Sequence, residues 1–269
     1  MITDKPERRL SIALALEQVV MSEFERSAGI PGPDLHVHRE HTDCFYVLDG
    51  ELTLSLTDGD HVVGPGTFVL VPPNLVHTFR CDTGVTRFLN FHAPGLGFDR
   101  YLQGELEGAF DQHTPPEDGG ADPATLLVRT AATDAVQVMD IRIGFLADAD
   151  DTLDAMGLVE YTAPPGFAGP PAHFHEHTWD AYYVLEGELD LTIGDDRLHL
   201  RTGDAAAAHP GTVHGFANGS ATTPTRFLDI HAPGGFERYF REVAAAFAAG
   251  QRDPDVLAEI TSRYDMHAV

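Results

Sequence analysis

Basic residues and cysteines are scarce in this sequence of 269 residues. Lysine and arginine number 17 against 42 aspartates and glutamates, which gives a formal net charge of −25. A charge of this sign and size repels nucleic-acid phosphates and anionic membrane surfaces, so we expect no nucleic acid and no membrane as partners. The two cysteines, Cys44 and Cys81, are too few for a disulfide framework or a cysteine metal cage.

Long hydrophobic runs are also missing. Hydrophobic residues make up 43% of the chain, but no uninterrupted apolar stretch approaches the roughly 18 residues that a membrane span needs. The segment MITDKPERRLSIALALEQ has only a brief apolar patch, which ends at Glu17, and it lacks a small-residue cleavage site. We therefore expect a cytoplasmic globular protein with one large domain or two of ordinary size.

What the sequence does contain is an internal repeat. The stretch HVHREHTDCFYVLDGEL at 36–52 is nearly repeated by HFHEHTWDAYYVLEGEL at 173–189. Four polar residues recur at a constant offset of 137: His36, His38, Asp43 and His77 correspond to His173, His175, Asp180 and His214. A unit of roughly 90 residues has therefore been duplicated, and the repeat favours two domains.

Each copy has the pattern of a β-rich domain. YVLDGELTLSL alternates apolar and polar residues around an Asp-Gly turn, and GTFVLVPPNLVHTF holds two short strands joined by a Pro-Pro-Asn turn. Many short strands with Gly and Pro between them favour a sandwich or barrel. Helical spacing predicts a helix at 98–110 and another at 236–250, and a third begins at Asp253-Pro254 and runs to residue 264.

The expected domain boundary lies in a segment rich in Pro, Gly and Asp. HTPPEDGGADP occupies residues 113–123, after the first predicted helix, and has the composition of a linker. The sequence thus predicts an N-terminal domain at 1–112 and a C-terminal domain at 124–269.

The repeated polar residues have the chemistry of a metal site. Side chains alternate along a strand, so His36 and His38 face the same side, about 7 Å apart at roughly 3.3 Å per residue. Asp43 and His77 follow on later strands and complete a set of three imidazoles and one carboxylate, which suits Fe, Mn, Ni, Cu or Zn. A single histidine is more often structural than a ligand, but recurrence of the whole set favours a metal. By contrast His41, His177 and His209 have no counterpart in the other copy, and we interpret them as rim or structural residues.

These motifs resemble those of the cupin superfamily. PDLHVHREHTDCFYVLDG and GPPAHFHEHTWDAYYVLEG are similar to its first motif, and GTFVLVPPNLVHTFRC and GDAAAAHPGTVHGFAN are similar to its second. The resemblance implies an all-β fold of two tandem double-stranded β-helix barrels with short C-terminal helices, and one divalent transition metal in each barrel. It also implies that the chain is a monomer or a homodimer.

One departure from the family pattern concerns the carboxylate. Asp43 and Asp180 stand where the family usually has glutamate, which is longer by one methylene. Two interpretations stay open at this point. Either the aspartate is itself a metal ligand, or three histidines hold the ion and the aspartate acts beside them as an orienting acceptor or base.

The segments around the two metal sets differ in bulk. Phe68, Val69, Leu70 and Val71 align with four alanines, Ala205 to Ala208, so we expect the second barrel to have the larger cavity. The predicted pocket residues are Phe45 and Phe79 in the first copy and Tyr182 and Phe216 in the second.

The leading functional hypothesis is a metal-dependent dioxygenase of a small organic molecule, flavonol-like or phenolic, similar to quercetin dioxygenase-like cupins. Asp43 or Asp180 would remove the substrate proton, and Tyr182 would act as a proton donor. Two alternatives use the same residues: a non-redox metal-dependent isomerase, lyase or hydrolase, and a non-enzymatic protein that binds a small molecule.

Overall fold

The computed structural model describes residues 2–5, 8–106 and 110–269. The chain divides into two compact units. The first contains the residues up to Thr130 together with Asp151–Ala155, and the second contains Ala131–Asp150 and Met156–Val269. Each unit is built mainly from antiparallel strands. The predicted all-β fold with two barrels in one chain is confirmed.

The first unit has two sheets. Its strands are β1 Thr3–Lys5, β2 Arg8–Ala15, β3 Val20–Ser27, β4 Thr42–Asp49, β5 Leu52–Leu56, β6 Gly59–Val63, β7 Thr67–Val71, β8 His77–Arg80, β9 Val85–Ala93 and β10 Leu127–Thr130. One sheet has the order β1-β2-β3-β9-β4-β7-β10, and the other has the order β6-β5-β8.

The second unit repeats this plan. Its strands are β11 Ala135–Val138, β12 Ile141–Ala147, β13 Gly157–Ala163, β14 His173–Phe174, β15 Trp179–Glu186, β16 Glu188–Ile193, β17 Asp196–Arg201, β18 Ala205–Ala208, β19 His214–Asn218, β20 Thr225–Ala232 and β21 His267–Ala268. The two sheets have the orders β11-β12-β13-β20-β15-β18 and β17-β16-β19-β14-β21.

The division between the units differs from the boundary expected at residues 113–123. That segment and the strand β10 after it belong to the first unit. The physical reason is that β10 pairs antiparallel with β7, with Leu127 opposite Leu70 and Thr130 opposite Thr67. Edge pairing satisfies backbone hydrogen bonds that composition alone does not reveal.

The predicted turns join strands of different sheets. The Asp-Gly turn leads from β4 in one sheet to β5 in the other, so it is not the hairpin that its sequence suggests. Gly50 has φ 76°, and a Cβ there would lie 2.5 Å from the Val85 carbonyl oxygen. The Pro-Pro-Asn turn likewise connects β7 to β8 across the two sheets.

Three α-helices accompany the strands in the described residues: α1 Phe98–Gln103, α2 Glu237–Ala248 and α3 Pro254–Thr261. The second and third confirm the predicted positions, and Asp253 caps α3 by accepting a hydrogen bond from the Asp255 amide. The first is shorter than predicted because Gly104, with φ 74°, ends it. Residues 107–109 of that prediction lie outside the described part of the chain. No described helix has the length and apolarity needed to cross a membrane.

Alternation along the central strands brings the polar set and the core side by side. On β4, Asp43, Phe45 and Val47 share one face, and all three side chains are buried. In each unit a stacked aromatic pair joins two neighbouring strands: Phe24 lies 5.1 Å from Phe88, and Tyr161 lies 4.9 Å from Phe227, between ring centroids. This packed layer fixes the strand that carries the carboxylate.

Candidate metal centres and cavities

The structure brings the four predicted polar residues of the first unit together. Each of these residues offers one ligand atom, and the four atoms all lie within 4.8 Å of one another. The residues are His36, His38, Asp43 and His77, and all four are buried. A pair of backbone hydrogen bonds joins His36 to His77, with N to O distances of 3.1 and 3.0 Å. The first imidazole is thereby held opposite the last, and β4 supplies the carboxylate between them.

The second unit assembles its four residues in the same way. His173, His175, Asp180 and His214 are buried, and their ligand atoms also lie within 4.8 Å of one another. His173 on β14 is the antiparallel partner of His214 on β19. The duplicated residues therefore form duplicated clusters, as the constant offset predicted.

Backbone carbonyl groups fix the orientation of the imidazoles. In the first unit Nδ1 of His36 lies 2.7 Å from the Asp34 oxygen, and Nδ1 of His77 lies 2.8 Å from the Leu75 oxygen. A carbonyl oxygen only accepts, so each Nδ1 carries the proton and each Nε2 presents a lone pair to the cluster. In the second unit, Nδ1 of His173 likewise lies 2.9 Å from the Pro171 carbonyl oxygen, and Nδ1 of His214 lies 2.8 Å from the Thr212 carbonyl oxygen.

This arrangement leaves several buried acceptors facing one another. His77 Nε2 lies 3.3 Å from Asp43 Oδ2, and His214 Nε2 lies 3.0 Å from Asp180 Oδ2. Nε2 of the middle histidine has no hydrogen-bond partner in either described cluster, at His38 and at His175. Converging lone pairs are unfavourable unless a cation lies between them, and one added proton would satisfy only one imidazole. The donor sets fit one metal ion in each unit.

The shorter aspartate reaches the histidine nitrogens. Asp43 Oδ2 lies 3.7 Å from His38 Nε2, besides its 3.3 Å distance to His77. Ligands bound at about 2.1 Å in a tetrahedral site lie about 3.4 Å from one another. Asp180 Oδ2 has the matching distances of 3.7 Å to His175 and 3.0 Å to His214. These distances agree with a carboxylate that shares the coordination sphere.

The charge state of both aspartates also suits a ligand. Burial alone would raise their pKa values. In Asp43 the surrounding imidazoles of His92, His38 and His77 outweigh burial and hold the pKa well below its usual value. In Asp180, His231 and two cluster histidines do the same. The direction of both shifts favours the ionised form, which is the form that binds a metal ion.

A second pair of residues in each unit was missed by the sequence analysis. Asn90 and His92 on β9, and Asp229 and His231 on β20, lie beside the aspartates and are buried. Their signal is the match between RFLNFHAP and RFLDIHAP, in which the two polar residues alternate with apolar ones. Because the offset there is 139 instead of 137, they fall outside the constant alignment.

The difference between Asn90 and Asp229 makes the two centres chemically unequal. In the first unit the Asn90 amide donates to Asp43 Oδ1 at 2.5 Å. In the second unit burial and the charge of Asp180 raise the pKa of the Asp229 carboxyl well above its usual value. The hydroxyl of Tyr182 donates to Asp180 Oδ2 at 2.5 Å. Asp180 thus has a second carboxyl and a phenol beside it, whereas Asp43 has an amide.

Two further aspartates close the clusters from outside the repeat. The carbonyl oxygen of Asp111 accepts from His38 Nδ1, and that of Asp265 accepts from His175 Nδ1. The Asp265 carboxylate also accepts from the Glu176 and His177 amides at 2.6 and 2.9 Å. The signal in the sequence is the similarity of FDQH at 110–113 to YDMH at 264–267.

The Asp111 contact also accounts for His41. Its Nδ1 lies 2.8 Å from Asp111 Oδ2, and in the other unit the Thr178 hydroxyl donates to Asp265 Oδ2 at 2.8 Å. His41 is fully buried, so it is not a rim residue. His41 contacts the Asp111 carboxylate, just as the smaller Thr178 side chain contacts the Asp265 carboxylate in the second unit.

Asp265→Ala keeps the backbone carbonyl that accepts from His175 Nδ1 but removes the carboxylate that holds the Glu176 and His177 amides. It is expected to weaken metal binding in the second unit by about 10-fold, the lower end of the effect of partners that orient metal-binding histidines. Competition with a fluorescent chelator measures this affinity. Asp195→Ala, in the exposed turn between β16 and β17, is the matched control and leaves the affinity unchanged. An unchanged affinity in Asp265→Ala would mean that the loop contact does not position His175.

Each cluster opens into a cavity. The first cavity has a volume of about 250 Å³ and is lined by His36, His38 and Asp43 together with Asn90 and His92. The second has a volume of about 570 Å³, and its lining contains His173, His175, Asp180, Asp229 and His231. The expectation that the second barrel has the larger cavity is confirmed.

The reason expected for this difference is wrong, because the segments 68–71 and 205–208 do not line the cavities. The lining instead differs on β3 and β13, where Arg26 in the first unit corresponds to Ala163 in the second. Replacing a guanidinium side chain with a methyl group leaves open volume.

Two of the four predicted pocket residues line the cavities. Phe79 borders the first and Phe216 borders the second. Phe45 and Tyr182 are fully buried and are not in the lining. Phe45 packs against Phe79 at 5.3 Å between ring centroids, and Tyr182 packs against Phe216 at 5.8 Å, so each lies behind the residue that forms the wall.

Comparison with known families gives two matches in this chain. A family model described as a cupin domain matches residues 23–92 and residues 159–231, which together exceed half of the chain. The matched ranges end at His92 and His231, so each includes one complete cluster.

A curated relative is quercetin 2,3-dioxygenase of Bacillus subtilis (strain 168), which is 41% identical over 76 residues. That match covers 27% of this chain and 22% of the enzyme, so it spans about a fifth of the length of the relative.

Solved structures resemble the chain over most of its length. AerE from Microcystis aeruginosa has a TM-score of 0.58 at 14% identity and covers 85% of this chain and 93% of its own. Oxalate decarboxylase from Bacillus subtilis has a TM-score of 0.57 at 14% identity, and the match covers 93% of this chain and 80% of the decarboxylase chain. At such identities the likeness shows the fold alone.

Proposed function

Because this chain belongs to the cupin family, with a cupin domain in each half, we propose that its second barrel is a metal-dependent dioxygenase acting on a small aromatic molecule. The partial likeness to quercetin 2,3-dioxygenase supports the reaction class. The fold by itself does not choose a reaction, so the proposal depends on the second cavity.

The observation that carries the proposal is the wall of this cavity. Its volume of about 570 Å³ is within the range of pockets for drug-sized ligands, ~300–1,000 Å³. Seven phenylalanine and tyrosine side chains contribute to the lining: Tyr161, Phe167, Phe216, Phe236, Tyr239, Phe240 and Phe247. Flat apolar walls with a polar cluster at one end suit a planar aromatic ligand that carries an oxygen.

A redox-active metal bound by His173, His175, His214 and Asp180 would bind a substrate oxygen and supply the electron transfer that reaction with O₂ requires. Asp180 contributes an ionised carboxylate whose low pKa suits a ligand better than a proton acceptor. This assignment differs from the role of base that the sequence analysis gave it. Tyr182 supports the carboxylate through its hydrogen bond and does not contact the cavity.

Asp229 is the residue that we assign to the substrate. Its side chain lines the cavity beside Asp180, its Oδ1 has no hydrogen-bond partner among the described residues, and its raised pKa favours the protonated form. A protonated carboxyl can donate a hydrogen bond to a substrate oxygen, as carboxyls in apolar sites do in other enzymes. The aromatic walls orient the ring and exclude water from the cluster.

The test is oxygen uptake by the whole chain reloaded separately with Fe, Mn, Ni, Cu or Zn, in the presence of flavonols and simple phenols. We expect uptake with at least one redox-active metal and none with Zn. Turnover without oxygen consumption would instead favour the isomerase, lyase or hydrolase alternative. Ligand binding without turnover would favour a binding protein.

Phe216→Leu is expected to raise KM about three- to tenfold, because an aromatic contact contributes roughly 0.5–1.5 kcal/mol beyond its buried area. Steady-state oxygen uptake measures KM, and circular dichroism checks the fold. The matched control is Phe79→Leu, which changes the corresponding wall of the first cavity. Equal effects of the two substitutions would contradict the assignment of the substrate to the second barrel.

A further inference from the structure

Two arginines lie in the wall of the first cavity. Arg8 on β2 and Arg26 on β3 are direct cross-strand partners, and both line the cavity that contains His36 and Asp43. Arg26 is 4% exposed. In both side chains Nε is buried without a hydrogen-bond partner among the described residues. The guanidinium groups therefore have unused donors at the cavity.

No carboxylate of the described chain neutralises this pair. Arg26 donates only to backbone carbonyl groups, those of Pro31 and Ile30. The outward neighbour Arg9, in contrast, forms an ion pair with Glu25 at 3.5 Å. Acidic residues outnumber basic ones by 42 to 17, so carboxylates are abundant in the chain. The absence of a carboxylate partner is therefore specific to the position of Arg8 and Arg26, and does not follow from the composition of the chain.

The pair is unfavourable in the absence of a ligand. Like charges directly opposite in a sheet repel, and burial removes the water that would otherwise solvate them. The pKa of Arg26 is lowered by burial and by the neighbouring Arg8 charge, so desolvation and like-charge repulsion both disfavour the charged form of Arg26. An arrangement that weakens the fold while leaving donors unused is typical of a binding site.

The second unit has no such pair. Ala163 occupies the position of Arg26 at the repeat offset, and the neighbouring strand β12 contributes Ile141 to the second cavity. The two arginines are therefore a property of the first cavity and not of the duplicated fold.

We propose that the first cavity binds a small organic carboxylate, whose oxygens accept hydrogen bonds from Arg8 and Arg26. Guanidinium groups match carboxylate geometry and form strong charge-assisted pairs. The volume of about 250 Å³ is smaller than that of a typical drug-sized pocket, ~300–1,000 Å³. The rings of Phe24, Phe79 and Phe98 line the same cavity and suit an organic body.

An organic carboxylate suits this cavity better than inorganic phosphate. Phosphate has no apolar surface to place against the rings of Phe24, Phe79 and Phe98 in the same lining. The cation–π geometry of Arg26 over the Phe79 ring, 5.4 Å from its centroid, places an apolar face beside the donors. This inference concerns the first barrel and does not depend on the dioxygenase proposal for the second.

The probe is benzoate, with the uncharged analogue benzamide and inorganic phosphate as comparisons, titrated calorimetrically into the metal-loaded chain. We expect benzoate to bind more tightly than either. Arg8→Gln and Arg26→Gln should each weaken benzoate binding at least tenfold, since a hydrogen bond between charged groups contributes that much. Arg9→Gln removes the same charge from the outer face and leaves binding unchanged.

A second measurement keeps the test independent of folding defects. Arg8→Leu, without anion, should raise the melting temperature, because it removes the like-charge repulsion at a side chain that makes no ion pair with the described residues. Benzoate should then raise the melting temperature of the natural chain but not that of Arg8→Leu. Equal binding of benzoate and benzamide, tighter binding of phosphate, or benzoate affinity unaffected by Arg8 and Arg26 would each overturn the proposal.

Discussion

His175→Ala is expected to lower the metal content of the purified chain from two ions to one and to abolish oxygen uptake. His175 Nε2 is buried, has no hydrogen-bond partner in the described structure and faces the other donors of its cluster. Removing one of three imidazoles leaves two imidazoles and a carboxylate, with a cavity where the ring was. Mass spectrometry of the metal content, together with oxygen uptake, measures both effects.

The duplicated fold supplies the controls for this experiment. His38→Ala removes the corresponding nitrogen of the first unit, and it should also lower the metal content to one ion while leaving oxygen uptake in place. His209→Ala removes an exposed histidine outside both clusters and should change neither quantity. If His175→Ala retained two ions, the assignment of this cluster as a metal centre would be wrong.

Asp180→Asn should weaken metal binding in the second unit by more than 100-fold. The amide has nearly the shape of the carboxylate, so the substitution mainly removes the negative charge next to His175 and His214. Partners that only orient ligands contribute about 10- to 100-fold. A larger loss therefore distinguishes a direct ligand from an aspartate that acts beside the metal, the two interpretations that the sequence leaves open.

Chelator competition measures this affinity, and Tyr182→Phe is the matched control. That substitution removes the hydrogen bond to Asp180 Oδ2 but keeps the charge, and it should cost no more than about tenfold. A loss of less than 100-fold in Asp180→Asn would favour coordination by three histidines alone. Asp43→Asn gives the same comparison in the first unit, where Asn90 takes the place of the supporting groups.

Much of the candidate site could be predicted from the sequence because it depends on short-range geometry. Two-residue alternation puts His36 and His38 on one face, and the repeat identifies the remaining members of both clusters. The spacing within a strand is fixed by the backbone, so these residues could be predicted without knowing how the sheets pack. Local patterns also placed α2, through its helical spacing of apolar residues, and α3, whose start is capped by Asp253.

The residues that were missed depend on contacts between distant parts of the chain. Asp111 and Asp265 return to the clusters after helices of unequal length, so their offset is 154 and no constant register connects them to the cluster residues. The charged wall of the first cavity was missed for a related reason. Arg8 meets Arg26 only through the pairing of β2 with β3, which the spacing of residues within one strand does not reveal.

Asp111 and Asp265 have a further consequence, for the order in which each unit can form. The bond from His38 to Asp111 closes a loop of 73 residues, and that from His175 to Asp265 closes one of 90. Closing such long loops costs conformational entropy that a single hydrogen bond does not recover. A metal ion bound by the same histidines favours the closed loops by mass action. Metal supply would then influence how many chains complete their folding, and not only how many are active.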